Sequence, residues 1–470
     1  MSVERIDHIP SNVDLVVAGG GLAGHCAALE AAERGASVVL LEKREIYGGS
    51  TVYSSGSFAF AGTQAQRDAG IDDSPEKITQ DIVSASGGLA DPALVDLYVT
   101  RQADTYAWLK EHGVGFHPVS LSSNQGVPRT HATDPWQLMR ALHESVQRDE
   151  RIAYLDNAAI HELQVSGSGR VEGVKIECNG KEHLIRARRG VVLATGGFSR
   201  NTDLIAKFTP YLKQAMKLGG SGNTGDGLLL AWKLGADLVD MAYVSGTFGI
   251  SLNNYPDTRI DDIDEPLLRL AIYRGGIAVN LRAERFADES ISYKKLGELC
   301  LAQPQAVGFQ VWDQSIMERS APAPNSTDFK MAYEKGLVKS ADTLEALAAT
   351  VGLDPSRFAE TVRRYNADVK EGQDTVFGRA SLGKGYGKPI PLERPPFYIY
   401  PCTTAILSTY CGVRVNADMQ VLDVFGKPLA GLFAAGEIVG GFHGSGYMSG
   451  SSLSKSAIFG RVAAETALKA

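Results

Sequence analysis

VDLVVAGGGLAGHCAALEAAERGASVVLLE, residues Val13 to Glu42, is the stretch on which the reading of the fold turns. It predicts a short apolar strand, a glycine turn, a helix and a second apolar strand that ends in an acid. Gly19, Gly21 and Gly24 have the spacing G-x-G-x-x-G. The first glycine allows a tight turn. The second lets backbone approach a pyrophosphate, and the third lets the helix pack closely on the strand. Leu22 and Ala23 then open the helix, with free N–H groups and the positive end of its dipole facing a phosphate. Glu42 stands where a carboxylate can accept hydrogen bonds from a ribose, with Lys43 beside it. Spacing alone would fit a glycine turn in any βαβ unit. Strand before, helix after and acid at the right distance together point to a dinucleotide site.

The chain has 470 residues, enough for two or three domains. An apolar content of 44% and a charged content of 21% describe a soluble globular protein. A net charge of −7 with no basic run argues against nucleic acid or an anionic membrane as partner. No apolar run reaches the roughly 18 residues of a membrane span. The N-terminal MSVERIDHIPSN is polar and lacks a signal-peptide core, so a cytoplasmic location is expected. The five cysteines lie far apart, with no C-x-x-C pair, so neither a disulfide framework nor a metal site is expected.

Along the chain, Gly48-Gly49-Ser50-Thr51 and Ser54-Ser55-Gly56 form a small-residue loop that suits a flat ligand. Ser74-Pro75, Asp134-Pro135 and Asp354-Pro355 read as helix starts, for helices over about 75–86, 135–148 and 354–371. Further helices are expected over 91–112 and 340–351. Ile152 to Val192 alternates in hydropathy and predicts short antiparallel strands laid on the parallel sheet. Ala194-Thr195-Gly196-Gly197 ends a buried strand. Asn223-Thr-Gly-Asp226-Gly opens another helix. No second G-x-G-x-x-G with strand and acid occurs. One dinucleotide held by a long, discontinuous site suits FAD, which is reduced and reoxidised in place, better than NAD, which leaves each turnover.

Together VVAGGGLAG, Glu42, GGST, ATGG, TGDG and AAGEIVGGFHG, in this order over essentially the whole chain, resemble the fumarate reductase and 3-ketosteroid dehydrogenase flavoprotein superfamily. The resemblance implies an α/β fold, with a Rossmann-type FAD-binding domain in two segments (1–243 and 389–470) and an inserted α+β cap over 244–388. It implies FAD contacts from the glycine turn, from Gly49, Ser50, Thr51, Ser55 and Gly56, and from Ala159. Further contacts are implied from Ala194 to Gly196, from Asn223 and Asp226, and from Gly436, Glu437, Ser452 and Leu453. Family members with covalent flavin carry a histidine after the glycine-rich region. GGSTVYSSG has none, which implies non-covalent FAD.

The branch is decided elsewhere. Fumarate reductases of the family place a proton-donating arginine four residues after a motif resembling R-F-x-N-E. Here Arg285-Phe-Ala-Asp-Glu289 is followed at that position by Tyr293. A second arginine, the dicarboxylate clamp, is replaced by Tyr447 in HGSGYMSG. The family histidine of H-T-M-G-G is missing from Leu407-Ser-Thr-Tyr410-Cys-Gly-Val. Arginine suits carboxylates, whereas neutral tyrosine suits a ketone: it can donate one hydrogen bond or, as phenolate, accept a proton.

The pair Tyr447-x-Ser449, with GIDDSPEKI and YAWLKEHGVGF, is similar to the Δ4-(5α) ketosteroid dehydrogenase branch. The resemblance implies α,β-desaturation of a cyclic ketone, a 3-ketosteroid or a 4-oxocyclohexanecarboxylate. Tyr293 would act as base, Tyr447 would polarise the carbonyl and Ser449 would assist, with the two tyrosine roles open to exchange. Arg269 or Arg274, and Tyr410, are candidate substrate contacts. The electron acceptor is left open among oxygen, quinone and a carrier protein. An alkene reductase and a non-catalytic flavin electron carrier are the competing readings.

Overall fold

The computed structural model of the chain describes residues 9–244, 246–257, 266–322, 325–383 and 386–469. Most of the polar N-terminal run lies outside them. The chain divides into two compact units. The first comprises residues 1–210, 218–244 and 408–470, and the second 211–217 and 245–407.

The first unit is built on a mainly parallel sheet. Strand β1 (Asn12–Ala18) runs into helix α1 (Leu22–Glu33) and then β2 (Val38–Leu41). β1 pairs in parallel with β2 on one side and with β4 (Lys181–Leu193) on the other. β3 (Ile152–Leu155) extends the sheet beyond β2, and β5 (Pro428–Ala434) extends it beyond β4. Over residues 15–18, Val38–Leu41, 190–193 and 431–434, where they pair in parallel, these strands are continuously buried and apolar, as a sheet covered on both faces requires. The alternating stretch forms an antiparallel set, with Ala158–Val165 on Val171–Cys178 and that strand on the first half of β4. The last helix, α2 (Ser451–Lys469), packs along α1. A side chain at Gly460 would collide with the main chain of Ala23, so the helices touch backbone to backbone there.

Helix starts follow the capping chemistry of the sequence. Ser74, Asp91, Asp134 and Asp354 each accept a main-chain N–H of the first turn, and each is followed by proline. The helix expected over 340–351 covers only Leu344–Ala349. Lys339–Ala341 pairs instead as a strand, and Thr343 caps the shortened helix.

The second unit carries an antiparallel sheet centred on Phe397–Ile406. That strand pairs with Thr247–Ser251, Gly308–Asp313 and Lys339–Ala341, and Ile277–Asn280 pairs beyond Gly308–Asp313. All ten of its residues are buried, and it belongs to this unit, which the chain leaves at Ser408. All five cysteines are buried with free thiols. Among the described residues no helix is long and apolar enough to cross a membrane.

Candidate active site

The glycine turn is dictated by the chain's own packing at two positions. A Cβ on Gly19, which sits at φ +121°, would run into the Ala194 carbonyl, and a Cβ on Gly24 would run into the carbonyl of Gly19. Gly21 differs: its Cβ would meet nothing nearer than the Gly48 carbonyl oxygen at 3.9 Å. Room of this kind is what backbone that meets a pyrophosphate requires. The first intrahelical bond runs from His25 N–H to Gly21 O, so the N–H groups of Leu22, Ala23 and Gly24 precede it. Thr51 Oγ1 accepts the first of these at 3.3 Å. Glu42 is buried, and its carboxylate accepts N–H groups from Gly20 (3.0 Å) and Arg44 (2.9 Å). Burial raises its pKa against the pull of these donors. Each oxygen keeps a lone pair for a ribose hydroxyl.

Around this turn the other expected contacts converge. Ala158 N–H donates to Glu42 O at 2.9 Å, which sets Ala159 beside that segment. Lys43 donates to Thr224 Oγ1 (2.6 Å) and forms an ion pair with Asp226 (2.5 Å), so these two residues tie the end of β2 to a helix start. Ser50 Oγ accepts from Gly220 N–H (3.1 Å) and from Asn223 Nδ2 (2.9 Å). Asn223 Nδ2 also reaches Glu437 at 3.0 Å, and Thr409 N–H donates to the same carboxylate at 2.9 Å. Gly436, at φ +80°, fits against the Ala23 methyl. Ser452 and Leu453 lie in the first turn of α2. Ser55 bonds Ser57, and Gly56 is needed for close approach to the Thr133 carbonyl, which is a packing role.

Two buried polar atoms in this cradle have no hydrogen-bond partner among the described residues: Asn223 Oδ1 and Thr195 Oγ1. At Gly196 a Cβ would meet only Asn223, at 3.7 Å. Open glycine positions beside unsatisfied buried acceptors and donors are the surroundings that a polar ligand such as FAD fits. One neighbour escaped the sequence reading. Lys455 of α2 is buried, donates to Val439 O at 2.9 Å and is lowered by burial to about 8, although Glu437 and Asp240 pull it up.

Beyond the Glu437 segment lies an aromatic turn. Tyr410 and Tyr447 stack with ring centroids 4.9 Å apart, and His443 meets both at 5.0 and 5.4 Å. Tyr410 adopts φ +59°, a left-handed conformation that costs a tyrosine about 1–3 kcal/mol. Tyr447 Oη accepts Gly450 N–H at 3.0 Å. Burial raises its pKa to about 12, so the phenol keeps its proton at neutral pH. Ser449 is held through its main chain, with its N–H on Ser123 O and its carbonyl on Gln125 Nε2 at 2.8 Å.

In the second unit, Tyr293 is the first residue of the helix Tyr293–Leu301 and is 9% exposed. Ser292 caps that helix, and the Lys294 ammonium lies 5.6 Å from the Tyr293 ring centroid. The R-F-A-D-E run before it serves structure. Arg285 pairs with Glu289 (2.7 Å) and Asp374 (2.9 Å), all three buried, and Arg379 joins Glu289 at 3.3 Å. Against burial, which would raise it, Arg285 holds Asp374 at about 2. Arg269, a candidate substrate contact, is engaged within its own unit. It is 1% exposed, and its guanidinium donates to the carbonyls of Asp328 and Leu268, both at 2.7 Å. Packing inside the unit engages it. Arg274 instead faces the Tyr386 ring at 5.2 Å.

Comparison with known proteins places this geometry in a family. A family model described as FAD binding domain matches residues 14–453. A probable fumarate reductase of Shewanella frigidimarina is 30% identical over 461 residues, which are 97% of this chain and 74% of that protein. The open conformation of a flavocytochrome c3 fumarate reductase superposes with a TM-score of 0.83 at 29% identity, over 98% of this chain and 79% of that one. A 3-ketosteroid-Δ4-(5α)-dehydrogenase from Rhodococcus jostii, solved with 4-androstene-3,17-dione, gives 0.75 at 27% identity, over 100% of this chain and 99% of that one. The chain belongs to the FAD-binding-domain family of the fumarate reductase/succinate dehydrogenase flavoprotein superfamily, and it is an FAD-dependent oxidoreductase acting on carbon–carbon bonds.

Proposed function

We propose that this oxidoreductase desaturates a neutral cyclic ketone between its α and β carbons, with FAD held non-covalently. The observation that carries the reading is Tyr447. A guanidinium there would hold a carboxylate. This chain presents a half-buried phenol, protonated at neutral pH and stacked on Tyr410. Such a phenol donates a hydrogen bond to a ketone oxygen, while the Gly450 N–H on its own oxygen supports charge that develops there. The Cα–H bond is thereby acidified. Tyr293, as its phenolate, is assigned as the acceptor of that proton, an assignment that rests on the resemblance. Ser449 assists at Tyr447. Bound FAD supplies the acceptor for the hydride that leaves the β carbon. The residues that would hold it are those around Gly21, Glu42, Ser50, Asn223 and Glu437.

Likeness to the Rhodococcus dehydrogenase over nearly the full length of both chains supports a ketone. The identity with a probable fumarate reductase favours the reverse chemistry, reduction of an activated alkene. Anaerobic mixing separates the two. Ketosteroids or 4-oxocyclohexanecarboxylate are expected to bleach the flavin, and Tyr447→Phe to slow bleaching by about 10²–10³-fold. If no ketone bleaches it while fumarate reoxidises the reduced protein, the alkene-reductase reading replaces this one.

A further inference from the structure

The turn that carries Tyr447 is gripped residue by residue by a segment more than 300 positions earlier in the chain. Asn124 Nδ2 donates to the Tyr447 carbonyl at 2.8 Å. Gln125 Nε2 donates to the Ser449 carbonyl at 2.8 Å, and Ser449 N–H returns a bond to Ser123 O at 3.1 Å. Between them, Arg129 places Nη1 3.8 Å from Met448 Sδ.

The gripping residues are themselves fixed. Gln125 is fully buried, its Oε1 accepts Ser122 N–H at 3.0 Å, and its amide bonds Thr130 Oγ1 at 2.8 Å. Arg129, also fully buried, is paired with Asp73 at 2.9 Å and with Asp81 at 3.0 Å. Asn124 adopts φ +61°, a left-handed conformation that asparagine takes more readily than most residues. Both segments lie in the first unit.

We propose that Asn124 and Gln125 are positioning residues, which set the Tyr447 phenol for its donation by fixing the main chain on either side of Met448. The proposal rests on the assignment of Tyr447 as the hydrogen-bond donor to substrate. Fixing two carbonyls two residues apart removes the freedom of the turn to rotate. A displacement of about 1 Å at a reacting group is enough to cost on the order of 10²-fold in rate.

Asn124→Gly tests it with little collateral effect, because glycine takes φ +61° without strain and only the amide is lost. Gln125→Met is the second variant, of similar length and without donors. In the holoenzyme each is expected to slow anaerobic flavin reduction by ketone about 10-fold or more, with FAD affinity within about two-fold of the parent. The loss is expected to vanish in a Tyr447→Phe background, since the group being positioned is gone. Equal losses in both backgrounds, or a parallel fall in FAD affinity, would overturn the proposal.

A second measurement holds whichever substrate proves right. With 3-fluorotyrosine incorporated, the 19F resonance assigned to Tyr447 by its absence in Tyr447→Phe is expected to shift or broaden in Asn124→Gly. That of the exposed Tyr53 is expected to stay in place. An unchanged Tyr447 line refutes the positioning role. No ketone bleaching of the parent protein, with a shifted line, refutes the ketone and retains the positioning.

Discussion

The glycine turn at Gly19–Gly24 and the aromatic turn at His443–Gly450 both shape the first unit, yet they are held in opposite ways. In the glycine turn the glycines themselves are constrained locally or from the ends of the sheet strands beside them: Gly24 against the Gly19 carbonyl, Gly19 against Ala194, Gly20 N–H on Glu42. The residues act through what they lack. The aromatic turn is held by side chains from distant parts of the sequence, Asn124, Gln125 and Arg129, and its residues act through what they present. One turn leaves room. The other is placed, as the chemistry proposed for Tyr447 requires.

The contrast breaks first at Gly24. Gly24→Ala drives a methyl into a carbonyl that the sheet fixes, so the folded protein is expected to be lost or destabilised by more than about 3 kcal/mol. Gly21→Ala, with open space ahead of it, is expected to leave the cofactor-free melting temperature within about 3 °C and to weaken FAD binding at least 10-fold. Matching melting curves for the two variants would erase the distinction.

The aromatic turn is next. Arg129→Met leaves Asp73 and Asp81 without their buried cation and is expected to lower the unfolding free energy by about 3–5 kcal/mol in urea titration. An unchanged midpoint would mean the distant scaffold is dispensable.

The smallest effect concerns the helix that leaves the glycine turn. His25 is buried, with Nδ1 on Gly21 O and Nε2 on His143 Nδ1 at 3.1 Å. Burial, then His143, lowers its pKa from 6.5 to about 3. The unfolded chain takes up this proton as pH falls below 6.5 and the folded chain does not. Stability therefore declines on acidification, by about 1 kcal/mol from this group between pH 7 and 5.5. His25→Leu is expected to flatten that part of the pH profile of thermal unfolding, and an unaltered slope would place the proton uptake elsewhere.

The same contrast explains what could be read in the residues alone. The βαβ unit was legible because hydrophobic period, glycine spacing and acid lie within 30 residues of one another. Helix starts at Ser74, Asp134 and Asp354 were legible because a cap and its proline are adjacent. The FAD family was legible because its motifs are contiguous and stand in order along the chain. Asn124, Gln125 and Lys455 carry no local mark, since their meaning arises only when the chain brings distant segments together. Arg269 shows the converse. Nearness in sequence to the Ile277–Asn280 strand says nothing of where a guanidinium finds its carbonyls. The strand Lys339–Ala341 was hidden by a helical pattern that a partner in the sheet overrides.

The five buried thiols open a practical route. Burial pushes those of Cys26, Cys300, Cys402 and Cys411 upward, so little thiolate forms and maleimides meet poor nucleophiles. Phe425, at the tip of the hairpin between Gln420–Leu422 and β5, is 83% exposed. A cysteine placed there would be the one readily labelled position on the native protein, ready for a dye or spin label without removal of any natural thiol.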